Sequence, residues 1–129
     1  MNKKCLYKIN DDEVRKILAN YGNINKFKIL MFVGNKSKSL LEIVNNTNIA
    51  PATCYRNSKS LIMNNILVEN GKIELPRGKN IMLYTCMFSI VKINIEKNFI
   101  EIFVKINTNV NNKKMLDNFF KKISCKIYT

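Results

Sequence analysis

The spacing of apolar residues changes at Ile66, and this switch limits the chain to folds in which a helical half precedes a stranded half. Before it, Val14, Ile17, Leu18 and Tyr21, then Leu40, Leu41, Ile43 and Val44, then Cys54, Leu61 and Ile62 recur at helical intervals. After it, Phe88, Ile90, Ile93 and Ile95 lead into Ile100, Ile102, Val104 and Ile106, the spacing of strands. Recurrence every three to four residues lines one face of a helix, whereas alternation lines one face of a strand. With 129 residues and 47% apolar content, the chain can build one core of the α+β class.

Punctuation between these runs sets the element order. Asp11, Asp12 and Glu13 suit the positive end of a helix that Gly22 stops. A second helix covers about Asn25 to Val33. Its apolar residues wrap most of the way round, so it is expected to be buried at the centre of the core. Ser39 and Glu42 have capping-box spacing at the start of a third helix, which ends in the Asn45 to Asn48 cluster. Pro51 suits the first turn of a fourth, which runs to Asn64 and Asn65. A hairpin with a Pro76, Arg77, Gly78, Lys79 tip follows, then a second hairpin turning at Glu96, Lys97 and Asn98. A polar break at Asn107 to Asn112 precedes a last helix over about Lys113 to Ser124, with Met115, Leu116, Phe119, Phe120 and Ile123 as its stripe.

Charge and composition narrow the function. Lys plus Arg outnumber Asp plus Glu by 22 to 9, a formal charge of +13, which attracts nucleic acid or an anionic membrane surface. Asn, Lys and Ile together are unusually frequent, a bias that an AT-rich coding sequence also produces, so the alternative to a binding surface for any single Lys is a genomic habit. The chain has no His, which removes Ser-His, Cys-His and His-containing zinc chemistry. No Gly-rich phosphate loop or paired carboxylates appear, so a non-enzyme without a cofactor is expected. Cys5, Cys54, Cys86 and Cys125 form no C-x-x-C pair and read as scattered small core residues of a reduced, cytoplasmic protein. The opening residues Met1 to Lys8 lack the apolar run of a secretory leader. Ile81 to Val91 is too short to span a bilayer, so no membrane association is expected.

Helix, helix, helix, strand, basic tip, strand is the order of a winged helix-turn-helix. Within it, EIVNNTNIAPATCYRNSKSLIMNNILVENGKI at 42–73 resembles the corresponding segment of ArsR-like winged-helix transcription regulators, archaeal members in particular. Ile43, Val44, Ile49, Thr53, Cys54, Tyr55, Arg56, Leu61, Ile66 and Val68 carry the match without a gap. Gly78, Lys79, Leu83 and Tyr84 resemble the returning wing strand. Asn48 and Asn65 stand where Gly is usual, and Asn tolerates positive φ. Ser58 stands where a larger apolar residue is usual. The cysteine ligands of metal-sensing members are absent, so no metal site carries over.

The resemblance implies a DNA-binding transcription regulator with the fourth helix in the major groove of double-stranded DNA and the wing on the phosphate backbone. Turning Cys54, Leu61 and Ile62 inward leaves Ala52, Thr53, Tyr55, Arg56 and Lys59 on or beside the outer face. A guanidinium can bond G O6 and N7 together, so Arg56 is the base-reading candidate; its bland alternative is an exposed ion pair. Tyr55 suits a phosphate or a thymine methyl, or packs on the wing. Thr53 suits a phosphate, or caps the helix start. Lys36 and Lys38 would approach phosphates from the preceding loop, and Lys72, Arg77 and Lys79 from the wing. The expected organisation is a DNA-binding unit over 11–86 and a hairpin plus C-terminal helix over 87–129 that forms a homodimer. The alternative for the terminal helices is that they cover the sheet of their own chain. A competing function is a winged-helix interaction or scaffold module that uses the second hairpin to hold a protein or a small-molecule effector.

Overall fold

The computed structural model describes residues 5–128. Its elements run β1 (Cys5–Ile9), α1 (Asp11–Tyr21), α2 (Ile24–Val33), α3 (Leu40–Asn46), α4 (Pro51–Met63), β2 (Leu67–Glu74), β3 (Asn80–Cys86), β4 (Phe88–Glu96), β5 (Phe99–Ile106), α5 (Lys113–Phe120) and β6 (Ile123–Tyr128). Five helices and two antiparallel sheets make it an α+β fold. One sheet is the β2–β3 pair and the other is four-stranded in the order β4-β5-β1-β6. No helix among the described residues is long and apolar enough to cross a membrane.

The caps explain where the helices begin. Asn23 Oδ1 accepts the Lys26 N–H at the start of α2, and Asn112 Oδ1 accepts the Met115 N–H at the start of α5. Ser39 and Glu42 form both halves of the capping box of α3 at 3.1 Å each, satisfying N–H groups that have no partner inside the helix. Asn48 and Asn65 hold φ of 57° and 60°, the left-handed geometry that lets α3 and α4 end in tight turns.

Both ends of the chain differ from expectation. α5 stops at Phe120 rather than near Ser124, and Ile123–Tyr128 pairs antiparallel with β1, a strand that the sequence reading did not assign. Ile123, Cys125 and Ile127 alternate with polar residues, and pairing with β1 outweighs the helical continuation of the Phe119–Ile123 stripe. The opposite face of α2 also departs from expectation. Ile29, Leu30 and Val33 are buried, but Ile24, Phe27 and Met31 are exposed, because α1, α3, α4 and β3 cover only part of the helix.

One cluster of buried side chains joins the two sheets and the helices, from Tyr7 and Ile17 through Ile29, Ile43 and Leu61 to Met87, Ile102 and Val104. It is continuous across residues 86 and 87. The α5 stripe packs on this cluster within its own chain: Phe119 sits edge-on to Tyr7 at 5.8 Å and to Phe88 at 5.7 Å. Val14, Leu18 and Tyr21 of α1 do the same. Cys54 and Cys86 are buried free thiols, while the side chains of Cys5 and Cys125 lie outside the described residues.

Two buried groups make the core testable. Ser58 is fully buried and its Oγ has no hydrogen-bond partner among the described residues, so its desolvation goes uncompensated where an apolar side chain would have none to compensate. Ser58→Ala is therefore expected to raise stability by about 1 kcal/mol, read as a higher denaturant midpoint at unchanged slope. Burial pushes the Cys86 thiol up to about 12 and the Tyr21 hydroxyl well above its ordinary range. Both groups therefore stay protonated when folded at a pH where the unfolded chain has released the proton. Their contribution is complete below about pH 9 and declines as pH rises through the folded values. Urea midpoints measured from pH 8 to 11 should fall with pH, less steeply in Cys86→Ala.

Candidate nucleic-acid interface

α4 carries its side chains in two well-separated stripes. Cys54, Ser58 and Leu61 face the core, and Ala52, Tyr55, Arg56, Lys59 and Met63 recur at helical spacing on the exposed side. Thr53 lies at the edge of the exposed stripe and is half-buried. Its hydroxyl bonds to no described residue and the N-cap is Ala50, so the capping alternative for Thr53 is not used. Arg56 and Lys59 make no ion pair with any described residue, so the bland alternative for Arg56 does not hold either. No Asp or Glu occurs between Glu42 and Glu69, so α4 itself carries no carboxylate.

The helix is held from three sides. Thr47 Oγ1 donates to Ile43 O at 2.7 Å and meets Cys54 Sγ at 3.5 Å, fixing the α3–α4 turn to both helices. Lys26 Nζ donates to Ser60 Oγ at 2.9 Å and to Asn20 Oδ1 at 3.1 Å, so a single ammonium joins α1, α2 and α4. At the far end the N–H groups of Asn64, Asn65 and Ile66 return to carbonyls of α4 around the left-handed Asn65. Lys26 was missed in the sequence because it looks like any surface lysine. Only the 34-residue separation from Ser60, closed in the fold, gives it a positioning role.

Of the remaining candidates, Lys36 is exposed and unpaired, whereas Lys38 is turned inward. Its backbone exchanges two 2.8 Å bonds with Tyr84 of β3, and its ammonium lies 5.2 Å over the Phe32 ring and 4.0 Å from Glu42. The β2–β3 hairpin projects from residue 71 to 81 with every residue exposed. Its tip closes through Leu75 N–H to Lys79 O at 2.8 Å, and Gly78 supplies the φ of 78° that the turn requires. Arg77 and Lys79 are unpaired there, while Lys72 lies 3.8 Å from Glu74. Burial, with Glu69 adding, raises the Tyr84 hydroxyl above its ordinary value.

The candidates thus fall into three groups: the α4 stripe, the loop tied to β3 at Lys38, and the hairpin tip. No hydrogen bond or ion pair among the described residues joins the stripe to the tip. A separate hollow opens between α1, α5 and the Ile66–Phe88 crossing, lined by Ile9, Ile17, Met87 and Met115 with Lys16 and Lys122 at its rim. Glu13 pairs with both of those lysines, at 3.0 and 4.0 Å, so their charge is offset only in part within the chain. Among the described residues no cluster of three His, Cys, Asp or Glu stands close enough to hold a metal ion. Comparison with protein-family models, with curated proteins and with solved structures finds no match for this chain.

Proposed function

We propose that this protein is a DNA-binding transcription regulator of winged-helix type, related to the ArsR-like regulators, acting by occupying duplex DNA without chemistry. α3 and α4 serve as the helix-turn-helix, with the exposed stripe of α4 in the major groove and the β2–β3 hairpin as the wing on the backbone. The observation that carries this reading is the α4 stripe: Tyr55, Arg56 and Lys59 exposed on one face, both cations unpaired, on a helix anchored from three sides. In that role Arg56 reads a guanine edge, Ala52 and Tyr55 contact bases or sugars, and Thr53 and Lys59 meet phosphates. Lys36, Arg77 and Lys79 add backbone contacts. Lys38 and Lys72 join once DNA competes with Glu42 and Glu74 for them.

The test is selection of random duplex DNA by the purified protein at ~150 mM salt, with log Kd followed against log salt. An enriched motif together with a slope of roughly −5 per protomer supports the reading. The slope without a motif would leave a non-specific polyanion binder and overturn it. The interaction-module reading draws on one observation, the exposed Ile90, Ile93, Ile95, Phe99 and Ile100 of the second hairpin. It requires a partner that binds equally well when the α4 cations are removed.

A further inference from the structure

β4 is an edge strand of the larger sheet, paired with β5 alone. It is nine residues long, contains no Pro, and exposes Ile90, Ile93 and Ile95 at 48%, 41% and 68%. Edges pair readily with another strand unless charges, prolines, bulges or short length prevent it. The irregularity of β4 lies at its start, between Phe88 and Ile90, outside the segment from Lys92 to Glu96, and a partner strand must meet the charges of that segment with opposite ones. The apolar stripes on α1 and α5 are used inside the chain, whereas Ile24, Phe27 and Met31 of α2 stay exposed but lie on a helix with no open backbone edge.

The direction of the free backbone groups follows from the hairpin. Only Lys97 and Asn98 separate Glu96 from its partner Phe99, so this closing pair exchanges both backbone bonds. Alternation then turns Lys92, Asn94 and Glu96 toward β5 and leaves the N–H and C=O of Val91, Ile93 and Ile95 along the open edge. Ile93 and Ile95 share the face of Ile102 and Ile100, opposite them in β5, while Lys92, Asn94 and Glu96 share the other face.

The segment Lys92-Ile93-Asn94-Ile95-Glu96 is chemically complementary to its own reverse. Set antiparallel against a second copy about a two-fold axis at Asn94, Ile93 meets Ile95 as a hydrogen-bonded pair and Lys92 meets Glu96, each twice. The two Asn94 side chains meet at the axis. Centring the pair on Lys92 or on Glu96 instead sets like charges face to face, which is destabilising. Centring it on Ile93 or Ile95 leaves both charges without partners. We propose that β4 is the surface through which two copies of this chain associate, edge to edge about Asn94, merging their sheets into one. The interface stands independently of the DNA reading, since it uses no residue of α4 or of the β2–β3 hairpin.

Sedimentation of the full chain at about 50 μM is expected to give a dimer of twice 15.0 kDa. Lys92→Glu or Glu96→Lys alone places like charges opposite each other at two symmetric points and should weaken association by about tenfold or more. The double variant K92E/E96K restores opposite charges and should recover dimerisation. As a measurement that does not depend on those variants, Asn94→Cys should cross-link to a covalent dimer under mild oxidation, because non-hydrogen-bonded antiparallel partners lie about 4.5 Å apart at Cα. The wild-type chain, with its own cysteines, is the control. A monomeric wild type, a dimer indifferent to the single variants, a double variant that fails to recover, or no added cross-linking through Asn94→Cys would each overturn the interface. A monomer that still enriched a DNA motif would overturn the interface alone, and a β4 dimer with no motif would overturn the DNA reading alone.

Discussion

Replacing Arg56 and Lys59 together by alanine should lower affinity for the selected duplex by about 100-fold or more while the thermal unfolding midpoint stays within a degree or two. Each part of this result has a separate cause. A bidentate guanidinium on guanine is worth about 1–3 kcal/mol of discrimination, and a phosphate contact adds a counterion-release term that weakens with salt. Arg56→Ala alone should relax base preference at one position, and Lys59→Ala alone should weaken all sequences alike and flatten the salt slope by about one. Stability should hardly move, because neither side chain is buried or paired with a described residue. Unchanged affinity in a folded double variant would remove α4 from the interface.

Asn107→Ala should produce the largest loss of stability of any single polar substitution away from the helices, about 3 kcal/mol, or a fall of about 10 °C in the unfolding midpoint. Asn107 is 1% exposed and uses its whole amide. Nδ2 donates to Thr85 Oγ1 at 3.0 Å and to Cys86 O at 2.9 Å, and Oδ1 accepts the Asn109 N–H at 3.0 Å. Truncation takes this donor from the buried Thr85 hydroxyl and the Cys86 carbonyl, and the desolvation of those groups then loses its compensation. Asn98→Ala, at an exposed position of the β4–β5 turn, should change stability by under about 0.5 kcal/mol and serves as the control. A similar effect at both sites would mean that the 107–112 segment is not clamped as described.

The loss should be large because Asn107 belongs to a set of asparagines that tie this segment to the rest of the molecule. Asn70 Nδ2 donates to Ser37 Oγ and to Asn109 O, and its Oδ1 accepts the Asn111 N–H. Asn109 Nδ2 reaches Asn35 O at 2.7 Å, and Asn112 Nδ2 reaches Glu69 O at 3.0 Å. The break between β5 and α5 is therefore fastened to β2 and to the loop that carries Lys36 and Lys38. In the sequence these residues look like compositional bias and a polar linker. Apart from the bonds of Asn107 to Asn109 and of Asn112 to Met115, these amides act through partners as far as 74 residues away, which no local pattern displays.

What the sequence did display were signals confined to a few neighbouring residues. The Ser39–Glu42 box, Pro51 at the start of α4 and the positive-φ positions Asn48 and Asn65 are local devices, and each stands where its spacing put it. The inward side of α4 was legible for the same reason, since Cys54 and Leu61 repeat at a helical period. β1 and β6 were not, because five or six residues at the ends of the chain become strands only through each other and through β5. For α2, an apolar residue on every side implied burial on every side. How fully Phe27 or Met31 is covered depends on how many elements the fold supplies, and the described residues leave them 41% and 61% exposed. The inward turn of Lys38 likewise rests on Phe32 and on the Tyr84 backbone, contacts that a charge count cannot anticipate.

The position of β1 within its sheet also governs the order in which the molecule can form. β1 lies between β5 and β6, with Tyr7 opposite Val104, so this strand cannot pair until segments far along the sequence have reached it. The α2–α4 helices and the β2–β3 hairpin need only near neighbours and can assemble during synthesis. Closing the larger sheet must wait for the slow, long-range encounter that such separations impose. Until then Leu6 and Tyr7 of β1, buried in the finished sheet, stay uncovered, so refolding from denaturant should be slower than the short-range helical contacts alone would allow.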